Sequence, residues 1–89
     1  MTNRLRPDEV ELYRPGDSAT ALRIGELTST HLKEVGRSED GWASLYKDPG
    51  DGRFWELTYP QGELHGGGPP RLALVSATDA ARRYLDRTG

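Results

Sequence analysis

Apolar and polar residues alternate most clearly in the middle of the chain. Trp42 to Lys47 and Arg53 to Tyr59 are rich in aromatic residues. Between them lies Asp48-Pro49-Gly50-Asp51-Gly52, five residues of turn chemistry. Proline presets φ, glycine supplies positive φ, and aspartate caps the turn. Two such runs around such a loop predict an antiparallel hairpin. Strand alternation puts Trp55, Leu57 and Tyr59 on one face and Phe54, Glu56 and Thr58 on the other. Trp42, Ser44 and Tyr46 likewise oppose Ala43, Leu45 and Lys47. One face is expected to pack on the helices. The other mixes aromatic residues with a carboxylate and is expected to form an interaction surface.

The flanks carry helical signals. Asp17 or Ser18 is a candidate N-cap, and Leu22, Ile24, Leu27 and His31 follow at near-helical spacing. The pattern predicts a helix over residues 18–30. Gly25 weakens it by about 1 kcal/mol relative to alanine, and Thr28-Ser29-Thr30 is expected to end it. Leu32 and Val35 open a strand that runs to the Arg37–Gly41 loop. Tyr59-Pro60 ends the hairpin, and 61–70 is a loop with three consecutive glycines and two prolines. Leu72 to Val75 is a further strand. Ser76-Ala77-Thr78-Asp79 resembles a capping box, and Ala80, Ala81, Tyr84 and Leu85 form the stripe of a C-terminal helix. Glu9 to Tyr13 is a possible short strand, with Val10 and Leu12 on one face. The expected fold is α+β: a small single domain with an antiparallel sheet of about four strands, packed by an N-terminal and a C-terminal helix. Residues 1–16 are read as an N-terminal extension and 17–89 as the single domain.

Composition narrows the classes. The chain has 89 residues, no cysteine and a net charge of −2. A disulfide scaffold, a cysteine-liganded zinc site and a cysteine nucleophile are excluded. The longest apolar run is Leu72 to Val75, too short to span a membrane. The polar stretch Met1 to Val10 lacks a signal-peptide core, so the expected location is the cytoplasm. No basic cluster exceeds the pair Arg82-Arg83, which argues against nucleic acid as the main partner. His31 and His65, even with Glu63 or Asp48, match no metal-ligand spacing. No metal and no cofactor is expected.

Several motifs invite chemistry. His65-Gly66-Gly67-Gly68 spells the oxyanion loop of some esterases, but the G-x-S-x-G elbow that they need is missing. The glycines could instead form an anion-binding nest, although Pro69-Pro70 stand where a phosphate loop needs Lys and Ser/Thr. The bland reading is a loop whose glycines let the backbone pass close to a neighbouring element. Glu56, if buried, would have the raised pKa of a general acid. Its bland reading is an ion pair with Arg53, Arg71 or Lys47. From Glu34 to Glu63 seven acidic residues face three basic ones, a segment charge of −4 within the total of −2. Such an acidic, aromatic hairpin suits a basic protein partner, or is simply a solvated turn.

Read together, Gly41-Trp42, Leu45-Tyr46-Lys47-Asp48-Pro49, Asp51-Gly52-Arg53-Phe54-Trp55-Glu56-Leu57, Tyr59-Pro60 and Glu63-Leu64-His65-Gly66-Gly67-Gly68-Pro69-Pro70 resemble the signature of the immunity protein 27 family of bacterial polymorphic toxin systems. The resemblance covers about residues 20–85. It implies a cytoplasmic, non-catalytic protein that binds and neutralises a cognate toxin in the producing cell. No catalytic residue carries over. The expected partner-binding residues are Trp42, Tyr46, Asp48, Asp51, Glu56, Tyr59, Glu63 and His65. The alternatives are a small-ligand or anion-binding module built on the glycine-rich loop 65–70, and an enzyme in which Glu56 and His65 converge in one pocket.

Overall fold

The computed structural model describes residues 4–39, 41–61 and 68–85. Its centre is a five-stranded antiparallel sheet: β1 (Glu11–Leu12), β2 (Lys33–Arg37), β3 (Ser44–Lys47), β4 (Phe54–Thr58) and β5 (Arg71–Val75), in the order β1-β5-β4-β3-β2. The hairpin β3–β4 forms as predicted, with Tyr46 opposite Trp55 and Leu45 opposite Glu56. The α+β class also stands. The fifth strand is β1, a two-residue remnant of the Glu9–Tyr13 stretch, paired with β5.

The two helices lie on opposite faces of this sheet. α1 (Ser18–Glu26) runs on as a π-helical turn, Leu27–His31, and α2 (Ala77–Ala80) runs on through Ala81–Leu85 in the same way. On the α1 side Trp55 and Leu72 are buried with Leu5, Ile24, Leu27 and Leu32, and Tyr46, Leu57 and Leu74 pack at the margin. On the α2 side Leu45, Ala80 and Tyr84 are buried, flanked by Val35, Ala43, Phe54 and Val75. The expectation of one packed and one open face is therefore corrected: an apolar stripe from each helix covers one side. The mixed pattern of β4 reflects a strand buried on both faces, which reads as near-continuous apolar sequence rather than clean alternation.

Local chemistry explains the helix ends. Asp17 caps α1, accepting from the Thr20 backbone N–H at 3.3 Å and from its hydroxyl at 2.5 Å. The Thr28-Ser29-Thr30 run does not end the helix at residue 30. Each hydroxyl donates to the carbonyl four residues back, on Ile24, Gly25 and Glu26. Such back-bonding competes with the backbone ladder, and here the helix widens into a π turn that closes with Leu32 N–H on Leu27 O at 2.7 Å. Ile24 and Leu27 carry the buried stripe, whereas Leu22 is 67% exposed. Ser76 caps α2, its hydroxyl oxygen accepting the Asp79 N–H at 3.1 Å, as predicted.

The described residues before β1 belong to the packing. Leu5 is buried in the α1-side core. The buried Glu9 carboxylate accepts two bonds from the Arg23 guanidinium, at 2.7 and 2.8 Å, and one from the Arg6 N–H. Val10, expected to share a face with Leu12, is exposed while Leu12 packs. Among the described residues no helix is long and apolar enough to cross a membrane.

Candidate interaction surface

The hairpin distributes the candidate residues to three places. At its turn, the chain reverses through Gly52 N–H to Asp48 O at 2.7 Å and Asp48 N–H to Arg53 O at 2.9 Å. Asp48 is 3% exposed. Its Oδ1 accepts the Gly50 N–H at 2.8 Å, an Asx-type bond that fixes the turn, and lies 3.1 Å from His31 Nε2. Asp51 is exposed and bonded to Arg53, whose backbone N–H and Nε reach its two oxygens at 3.0 and 2.6 Å. These bonds, led by the backbone N–H, hold the Asp51 carboxyl below its usual range.

At the open end stand two aromatic residues, while Tyr46 lies near the turn, opposite Trp55. Trp42 lies in the β2–β3 connection and is 60% exposed; Tyr59, just past β4, is 38% exposed. Tyr46 is half-buried on the α1 side, and burial pushes its hydroxyl pKa up, with Glu34 and Tyr59 near enough to add to the effect. About 15 Å of strand separates this end from the turn.

Glu56 is on the opposite, α2 side. It accepts the Tyr84 hydroxyl at 2.6 Å and faces Arg83 Nη1 at 3.4 Å. The expected partners Arg53, Arg71 and Lys47 are engaged elsewhere: Arg53 with Asp51, Arg71 with Glu11, and Lys47 over the Phe54 ring. Glu63 and His65 lie outside the described residues, as does the first half of the 65–70 loop. Gly68 is described. A Cβ built there would meet the Gln61 carbonyl oxygen at 2.5 Å, so this glycine passes against neighbouring backbone.

Three of the five described acidic residues of the segment are paired with arginines. Glu34 pairs with Arg37, Asp51 with Arg53 and Glu56 with Arg83, while Asp48 Oδ1 lies against His31 Nε2. Paired surface charges steer a partner less than bare ones do. Among the described residues no group of three or more His, Asp or Glu side chains is placed to hold a metal.

Sequence reasoning missed two residues. The sequence offers His31 as a helix-end histidine or a metal ligand, and its contact with Asp48 joins the end of the first helical segment to the hairpin turn. Arg53 stacks on the Trp55 ring at 5.1 Å and donates to the carbonyls of Arg6 and Glu9, both at 3.1 Å. It thereby clamps residues 6–9 onto the sheet. Local pattern carries no signal for contacts at such separations.

The family model for immunity protein 27 matches residues 16–76, about two-thirds of the chain. The match runs from the turn before α1 to the cap of α2 and includes every candidate residue. No curated protein and no solved structure matches the chain.

Proposed function

The chain belongs to the immunity protein 27 family, and from that premise we propose that it binds and neutralises a cognate bacterial toxin in the cytoplasm of the cell that makes both. The activity is binding alone, without catalysis or cofactor. The observation that carries this reading is the family match across α1 and all of β2 to β5. The surface supports it. Trp42 and Tyr59 offer large amphipathic rings at one end of the hairpin, and such residues dominate binding energy at protein interfaces. Trp42, Tyr46 and Tyr59 are the proposed anchors, with Asp51 at the far end of the same hairpin. Glu56 serves the α2 packing, which makes it a supporting residue in this reading.

The test is co-expression with the protein encoded immediately upstream, followed by affinity capture and a growth assay. A 1:1 complex, with growth rescued only in the presence of this chain, is the expected result. Trp42→Ala and Tyr59→Ala should each weaken the complex by about 1–3 kcal/mol. Failure of capture and of rescue with every toxin domain from the same locus would sink the proposal.

A further inference from the structure

The turn end of the hairpin holds a buried carboxylate without a permanent counter-charge. The Asp48 side chain is 4% exposed. Both of its contacts, from Gly50 N–H and His31 Nε2, fall on Oδ1. Among the described residues Oδ2 accepts no hydrogen bond. The sealed side-chain atom that lacks a partner among these residues is Trp55 Nε1. Asp48 Oδ2 is therefore not fully sealed, and Asp48 lines a cavity. That cavity, about 160 Å³, is bounded by Arg4, Leu5, His31, Asp48, Gly50 and Asp51.

A carboxylate removed from water is costly unless a cation or several donors compensate it. His31 brings a full positive charge only when protonated. Arg53 is committed to Asp51 and to the backbone of the first residues. Arg4 lines the cavity but is exposed, and among the described residues its side chain makes no hydrogen bond to either carboxylate. What the site lacks is a cationic donor from outside. An anion would meet two carboxylates, and a neutral donor would leave the charge uncompensated.

We propose that this cavity receives a lysine or arginine side chain of the bound toxin, with its cationic head on Asp48 Oδ2. The proposal rests on the immunity reading and identifies one element of the partner's surface. The cavity lies on the α1 side of the sheet, the side to which Tyr46 also belongs, so both can fall within one interface of ordinary size.

Two measurements test it. Asp48→Asn keeps an oxygen for the Gly50 N–H and nearly the same volume while removing the charge. It should bind the toxin about 30-fold more weakly or worse, because truncating one partner of a buried charge pair has that effect. Its melting temperature should stay close to that of the parent. A folded Asp48→Asn protein with parental affinity overturns the proposal. The second measurement needs neither the variant nor a toxin. N-acetyl-argininamide titrated into the wild-type chain should move the NMR signals of the Gly50 amide and the His31 ring, and neutral N-acetyl-citrullinamide should not. No shift, or equal shifts with both compounds, overturns the cavity assignment even if toxin capture succeeds. A selective shift with no toxin captured would support the cavity and count against the immunity reading alone.

Discussion

Tyr84 lies directly over Gly36: a Cβ built on that glycine would stand 3.1 Å from the Tyr84 Cβ. The contact sits at a β-bulge, where the register between β2 and β3 shifts across Glu34 to Gly36. A bulge turns an extra residue toward one face, and here glycine leaves the space that α2 fills. Both atoms are anchored to backbone, so neither can swing away. Gly36→Val should cost about 2 kcal/mol through overpacking. Urea unfolding measures the loss, and an unchanged midpoint would mean that α2 moves freely on the sheet.

The same tyrosine donates its hydroxyl to Glu56 at 2.6 Å. Tyr84→Phe keeps the ring and deletes a hydrogen bond to a charged acceptor. The expected loss is about 1.5–3 kcal/mol. Glu56→Gln retains an acceptor for the hydroxyl and should cost less. Thermal melts of the two variants, compared side by side, check the order.

Glu9 gives the fold a defined response to acid. The Arg23 guanidinium, bonded to both of its oxygens, holds the carboxyl down to about 2 from an ordinary 4.5. A lowered folded-state pKa stabilises the protein above the unfolded value. The contribution is therefore complete above about pH 4.5 and is lost as pH falls toward 2. Its size is up to about 3 kcal/mol. Unfolding free energies at neutral pH and at pH 3 should differ less in Glu9→Gln than in the parent.

Gly68 has φ near +70°, and an added Cβ would strike the Gln61 carbonyl oxygen. Gly68→Ala should destabilise by about 1–3 kcal/mol, since strain and collision act together. Denaturant titration checks the size. A neutral substitution would show that the chain near Pro69 repositions at no cost.

Arg53 joins the hairpin to residues more than 40 positions earlier. A lysine cannot reproduce its several directed donors. Arg53→Lys should speed hydrogen exchange at Leu74, whose N–H bonds to Val10 O at 2.9 Å. Exchange at Tyr46 and Trp55, in the hairpin centre, should change less.

Local chemistry made the hairpin, both helix caps and the β5 strand legible. Asp48 to Gly52 can hardly be anything but a turn, and Asp17 and Ser76 cap helices through bonds only three residues long. The faces were misread for a physical reason. Trp55 and Glu56 are neighbours in sequence that enter different cores, and nothing nearby in the chain says that a second helix covers Glu56. Leu22 fits the helical stripe by spacing, yet Ile24 and Leu27 take the core because the sheet meets α1 along that line.

The sequence by itself determined the α+β class, the central hairpin and the family to which the chain belongs, because turns, caps, alternation and a run of matching residues are all local. Only the tertiary structure decided which charge meets which. His31 reached Asp48, Arg23 reached Glu9, and Tyr84 with Arg83 reached Glu56. Coulomb and hydrogen-bond energies depend on distance in space, and it is the crossing of two helices over opposite faces of one sheet that sets those distances.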